Sequence, residues 1–203
     1  MEYIEGIAPA EACSDRYPQK LRDRWGRVLF ELQIRGLLEH RMLHADPNLS
    51  NFSFREDGGV IVYDFGCVKR VSEPLATGYA GLLHAALGGE AAVIPAALLA
   101  MGVGTESGEP LASELLDPYF ELLVELLREE PAYTFGEDQE IYDKLFELGV
   151  ANWSKATDIT FPQDLVFIDR SLGGHFGNLA RLGATGPWRQ LVREYSEAAL
   201  ARA

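Results

Sequence analysis

A chain of 203 residues is long enough for one domain with a sizeable core. Apolar residues make up 47% and charged residues 24%, an ordinary globular balance, while 31 acidic against 18 basic side chains leave a net charge of −13. That charge repels phosphate backbones and anionic lipid, which argues against nucleic acid as a partner and against electrostatic docking on a membrane.

In chain order, the opening MEYIEG reads as the end of a strand followed by a glycine turn. Residues 17–40 predict a helix, because Leu21, Trp25, Val28, Leu29 and Leu32 recur at steps of three and four, with Ser14 or Asp15 placed to cap its start. Residues 52–55 and 60–63 read as two short strands around the glycine turn EDGG. From residue 75 the pattern is helical. One helix over 75–87 sits behind Ser72 and Pro74 and stops at Gly88 and Gly89. A second covers 90–101 with a kink expected at Pro95, and 102–110 reads as a loop. Helices are predicted at 111–130, at 137–155, at 162–182 with an interruption at Gly173 and Gly174, and at 187–202. The Leu stripe of 115–127 reads as core, and the REEP run at 128–131 as a solvated helix end. The apolar run at 91–104 is too short to span a bilayer and contains Pro95, so no transmembrane segment is predicted. Cys13 and Cys67 lack metal-type spacing, Cys67 reads as a small buried residue, and no signal-peptide pattern is present, so a reducing, cytoplasmic setting is expected. The expected fold class is mainly α with one small β-hairpin.

The chemistry concentrates in HADPNLSNFSFREDGGVIVYDFG, residues 44–66. His44, Asp46 and Asn51 stand in the register of a kinase catalytic loop, H-x-D-x-x-x-x-N, and Asp64 opens a D-F-G after a strand–turn–strand. Phosphoryl transfer calls for hard oxygen ligands on Mg²⁺, which an Asn carbonyl and an Asp carboxylate supply. A second carboxylate has to stand apart from the metal and face the nucleophile. The tripeptide alone is a weak signal; both motifs in order around a hairpin are a strong one. His44 reads as a buttress of the loop rather than a catalytic group.

The segments MEYIEG, HADPNLSNF, GGVIVYDFG and CVKRV, with PQDLVFIDRSLGGHFGNLARLGA near the end, resemble the UbiB/AarF family of atypical kinases over nearly the whole chain. Pro47 after Asp46 favours that family over ordinary protein kinases. The resemblance implies a protein-kinase-like C-lobe (α+β), with a hinge or strand stub over 1–6 and a helical lobe over 7–203 that carries the loop and hairpin of 44–66. It implies Mg²⁺ and ATP as cofactors, with Asp46 catalytic, Asn51 and Asp64 as metal ligands, and Glu2 and Ile4 in an adenine-facing hinge. It links the chain to isoprenoid-quinone (ubiquinone) biosynthesis, with a lipid or quinone-precursor substrate and peripheral membrane association through parts outside these residues.

Two departures stand out. The H-P-G usual before the Asn is Asn48, Leu49, Ser50 here. Lys20, Lys69, Lys144 and Lys155 all follow the hinge, so the N-lobe with its strand lysine is expected to be absent and to be supplied upstream or in trans, leaving this chain inactive alone. The alternatives are a small-molecule phosphotransferase of the aminoglycoside or choline kinase type and a non-catalytic, pseudokinase-like binding module. Arg170, in an apolar helix, is expected to pair with a buried carboxylate, and Gly173, Gly174 and His175 to mark a kink or close packing.

Overall fold

The computed structural model describes residues 4–129, 131–137, 144, 147, 148, 150, 151 and 158–202. A short helix α1 (Pro9–Ala12) leads into α2 (Gln19–Arg35), which widens into a π-type turn over Gly36–His40. Four three-residue strands follow: β1 (Met42–His44), β2 (Phe52–Phe54), β3 (Val60–Val62) and β4 (Val68–Arg70). The rest is helical: α3 (Glu73–Gly88), α4 (Ile94–Ala100), α5 (Ser113–Leu126), α6 (Gln163–Leu182) and α7 (Trp188–Leu200), with a two-residue ladder of β5 (Gly104–Thr105) and β6 (Ile159–Thr160). Among the described residues no helix is long and apolar enough to cross a membrane.

The strands form two nested antiparallel hairpins. Inside, Phe52 pairs with Val62 and Phe54 with Val60. Outside, His44 pairs with Val68 and Met42 with Arg70. The predicted EDGG turn is present, with Gly58 at φ +90°, a conformation glycine adopts without strain. The outer pair is not visible in the sequence, since its two strands are short and lie more than twenty residues apart.

Several local expectations change. Ser14 and Asp15 do not cap α2, which starts behind Pro18. Ser14 Oγ instead donates to the Glu11 carbonyl at 2.6 Å and closes α1. Pro95 does not kink a helix; it lies in the first turn of α4, where its missing N–H is not needed. The 102–110 segment is not all loop, because Gly104 pairs with Thr160. Helix α6 runs through Gly173 and Gly174 without a break. Cys67 is exposed rather than buried. The 137–155 helix lies largely outside the described residues.

Trp25 and Trp188 anchor the core. Trp25 is fully buried, packs 5.2 Å from Phe54, and donates its indole N–H to the Arg55 carbonyl at 2.8 Å, fastening α2 to the inner hairpin. Trp188 lies 4.8 Å from Phe30 and 5.3 Å from Phe135. Arg189 donates to the Leu87 carbonyl at 2.6 Å and the Leu127 carbonyl at 3.1 Å, so one cation closes the C-terminal ends of α3 and α5. The Leu stripe packs inward as expected: Leu122 and Leu127 are buried, and Leu115, Leu116, Leu123 and Leu126 lie against the core.

Helix α6 holds the loop that follows β1. Ser171 Oγ donates to the His44 carbonyl at 3.0 Å and His175 Nε2 donates to the same oxygen at 3.3 Å. Asn178 donates to the Pro47 carbonyl at 2.8 Å. A Cβ on Gly174 would stand 2.2 Å from Pro47 Cγ, so only glycine lets the helix come this close. Close packing, not a kink, explains Gly174.

Truncation of a fully buried tryptophan costs about 3–5 kcal/mol. Urea titration of Trp25→Ala is expected to show a loss in that range, and a loss below about 1 kcal/mol would contradict the role assigned to Trp25. Burial lowers the pKa of His175 from 6.5 to about 4, against the opposing hydrogen bond to His44 O and with smaller effects of His44 and Asp46. Between those values the unfolded chain binds a proton that the folded chain refuses. Stability therefore falls as pH drops from 6.5 to 4, by up to about 3 kcal/mol from this group. His175→Gln is expected to flatten the pH dependence of unfolding in that window, and an unchanged slope would refute the assignment.

Candidate functional site

The nested hairpins carry the candidate site at their open end. Ala45 N–H donates to the Cys67 carbonyl at 2.8 Å, extending the outer ladder by one rung. Tyr63 N–H donates to the Asn51 carbonyl at 2.7 Å, extending the inner one. Asn51 is thereby fixed beside Tyr63, and Asp64 is the next residue.

Asp46 and Asn51 meet directly. Asn51 Nδ2 donates to Asp46 Oδ2 at 2.7 Å, and the Asn48 N–H reaches Asp46 Oδ1 at 3.2 Å. The Asn51 hydrogen bond, then the Asn48 N–H, hold the Asp46 carboxyl below the usual carboxylate range, helped by the charges of His44 and Arg170. Asp46 is therefore ionised at neutral pH and is better suited to orient a nucleophile than to act as a strong base. Arg170 is exposed on α6; rather than pairing with a buried carboxylate it acts on Asp46 through space.

The Asn48–Leu49–Ser50 departure has a clear local structure. Asn48 Oδ1 accepts from Ser50 N–H at 3.0 Å and from Ser50 Oγ at 2.9 Å, capping a 3₁₀ turn over Leu49–Asn51. Leu49 plugs the core. The loop is closed by side-chain bonds and by burial of one leucine.

Asp64 adopts φ 49°, ψ 84°, unusual for any residue but glycine. Its Oδ1 accepts from Gly66 N–H at 2.9 Å, and its carbonyl accepts from His44 Nε2 at 3.0 Å. His44 is buried, so the expected buttress is present: its ring holds Asp64 while its own carbonyl is held by α6. Two such bonds support a backbone conformation that costs on the order of 1–2 kcal/mol.

Ile4, 42% exposed, lies with Glu5, Gly6, Ile7 and Tyr63 along an open cleft of about 990 Å³. The segment is pinned to the inner hairpin by the Ile7–Phe54 pair, at 2.7 and 3.0 Å. A Cβ on Gly6 would stand 2.3 Å from Ser53 Oγ, so glycine is required there. Glu2 lies outside the described residues. Asp46, Asn51 and Asp64 thus share the open end of the hairpins, and Ile4 shares a cleft with the residue before Asp64.

The donor set fits magnesium. With Nδ2 spent on Asp46, Asn51 presents Oδ1; with Oδ1 on Gly66, Asp64 presents Oδ2. Among the described residues no three His, Cys, Asp or Glu side chains form a metal cage. Two protein oxygens would leave the other positions of an octahedral magnesium to water and phosphate.

The sequence reading marked Gly174 and His175 for a kink or close packing but missed Ser171 and Asn178, and it did not connect the four to the loop. Ser171, Gly174, His175 and Asn178 recur at steps of three, four and seven. A small or polar stripe at helical spacing inside an apolar helix is the signal that finds them.

Residues 1–97 match the ABC1 atypical kinase-like domain. The atypical kinase COQ8B, mitochondrial, of Danio rerio is 32% identical over 95 residues, 46% of this chain and 15% of that protein. A Paramecium bursaria Chlorella virus 1 protein described as putative ABC transporter A445L is 31% identical over 70 residues, 34% of this chain and 14% of its own. The chain thus spans about one seventh of the curated relatives it matches. Among solved structures, Rv3197 of Mycobacterium tuberculosis, in complex with erythromycin, superposes with a TM-score of 0.73 at 21% identity over 96% of this chain and 48% of that one. The kinase-like fold therefore extends well past the matched half. Residues 1–97 are thus similar to the ABC1 atypical kinase-like domain, and the chain as a whole has a kinase-like fold.

Proposed function

We propose that this chain binds Mg·ATP at the open end of its nested hairpins and serves as the catalytic-loop lobe of an ATP-dependent phosphotransferase or ATPase. The observation that carries this reading is the Asp46–Asn51 hydrogen bond of 2.7 Å, which aims the remaining Asn51 oxygen and leaves Asp46 a separate task. Asn51 Oδ1 and Asp64 Oδ2 would hold the ion. When bound, magnesium would neutralise charge on the phosphates. Asp46, fixed by Asn51 and Asn48, would accept a hydrogen bond from the attacking hydroxyl and turn it toward the phosphorus. The backbone near Ile4, and Glu2 before it, would face adenine along the cleft. A phosphate-facing lysine is proposed to come from a further lobe, in cis or in trans. Lys69 is engaged by Asp164 at 2.8 Å, and Lys20 sits in the first turn of α2, remote from the motif in sequence. The family resemblance makes a lipid or quinone precursor the substrate class to try first.

Calorimetric titration with Mg·ADP and Mg·ATP tests the site. Asp64→Asn is expected to weaken binding at least about tenfold, through loss of one charged ligand. Equal affinity in the variant would overturn the metal role. Asp46→Asn keeps an acceptor for Asn51 and is expected to leave Mg·ADP affinity within about threefold. In the chain joined to a nucleotide-covering lobe, the same variant is expected to lower turnover by about 10²–10⁴. The 203-residue chain alone is expected to show no more ATP turnover than Asp46→Asn. Turnover that this substitution abolishes would mean the site is complete without a further lobe.

A further inference from the structure

A recess of about 460 Å³ opens between α3, α5 and α6. Its walls are mainly apolar, with Leu82, Leu98, Met101, Val103, Leu115 and Leu116 among them. Met101 and Val103 are buried, while Phe161, which also lines it, is 51% exposed, so the recess is open to solvent. Small-molecule sites typically measure about 300–1,000 Å³ and combine apolar walls with a few polar groups. The recess shares no residue with the hairpin motif of 44–66.

One carboxylate, Asp169 on α6, lines the same recess. It stands four residues after Leu165 and three before Leu172, both of which face the core, so the carboxylate interrupts an inward apolar stripe. Tyr79 on α3 donates its hydroxyl to Asp169 Oδ1 at 2.5 Å. Among the described residues Oδ2 has no protein partner and Asp169 makes no ion pair. Solvent reaches Asp169, yet the walls crowd its carboxyl: burial pushes the pKa up from the ordinary value, against the Tyr79 hydrogen bond. A carboxylate in apolar surroundings is disfavoured until a counter-charge meets it.

We propose that this recess binds a small organic ammonium ion, its apolar body against the leucine and methionine walls and its charged head on Asp169 Oδ2. An ammonium supplies what this carboxylate lacks, a positive charge and N–H donors. Tyr79 holds Oδ1 and so leaves Oδ2 for the head. The rings of Tyr79, Tyr119 and Phe161 line the same recess, and aromatic walls recur where organic ammonium ions are held. The net charge of −13 favours approach of a cation. A neutral molecule of the same shape would fill the walls and leave Asp169 uncompensated. The inference does not depend on the nucleotide reading, since occupancy is measured without nucleotide or metal.

Methyl-resolved NMR of the whole chain at neutral pH tests it, with phenylpropylamine as the probe and phenylpropanol as its uncharged match. The amine is expected to shift the Met101, Val103, Leu115 and Leu116 methyl signals saturably, and to bind at least about tenfold more tightly than the alcohol. Asp169→Asn keeps an acceptor for Tyr79 and is expected to weaken the amine about tenfold or more, down to the affinity of the alcohol. Asp169→Ser is read the same way if the asparagine variant does not fold. Leu116→Trp, which fills part of the recess, is expected to weaken the amine by a similar factor. No saturable shift, equal affinity for amine and alcohol, unchanged amine affinity in the folded Asp169 variant, or unchanged amine affinity in Leu116→Trp would each overturn the proposal.

Discussion

The candidate site depends on the docking of α6 against the back of the loop that follows β1. Ser171 and His175 share the His44 carbonyl, Asn178 takes the Pro47 carbonyl, and Gly174 lets Pro47 come into contact. These anchors flank Asp46 on both sides. The loop carbonyls face the helix, and the Asp46 side chain is left to meet Asn51. A constellation that must hold its geometry within a fraction of an ångström needs its loop supported in this way. Here the support is a regular helix whose own position is fixed by burial of Leu165, Ile168, Leu179 and Leu182.

What the sequence made legible was local. The strand–turn–strand between Asn51 and Asp64 follows from apolar runs around a glycine turn, and the structure pairs Phe52 with Val62. The helices follow from period and from stop signals such as Gly89, which takes φ +71° at the end of α3. What stayed hidden was non-local or a matter of competition. The β1–β4 and β5–β6 ladders are three and two residues long, too short to print a pattern. Ser14 could have capped α2, but its hydroxyl is spent closing α1. Gly173 and Gly174 looked like a break because glycine weakens an isolated helix. In α6 Gly174 lies against Pro47, where the approach needs no side chain.

The substitution of Asn48, Leu49 and Ser50 for a more usual loop shows how one backbone task can be met by different chemistry. A glycine supplies freedom; here Asn48 supplies constraint, accepting two hydrogen bonds from Ser50, while Leu49 adds burial. The result keeps Asn51 N–H on the Asn48 carbonyl at 2.9 Å and the Asn51 side chain on Asp46. Asn51 is thus constrained at both its backbone and its amide. The altered residues point their consequences toward rigidity of the loop rather than toward the set of oxygens it presents.

His44 joins the two halves of the site. Its carbonyl is held by α6, and its ring N–H holds the carbonyl of Asp64, twenty residues away. Asp64 sits in a left-handed conformation that a free aspartate would leave. The outer hairpin places His44 opposite Val68, so the ring can reach back only if both nested ladders are formed. The placement of Asp64 is therefore a property of the folded lobe and not of the D-F-G tripeptide. A shift of α6 would move Asp46 through Pro47 and Asp64 through His44 together. That coupling gives physical content to the motif: its residues belong together because one buried histidine and one helix face hold them in the same frame.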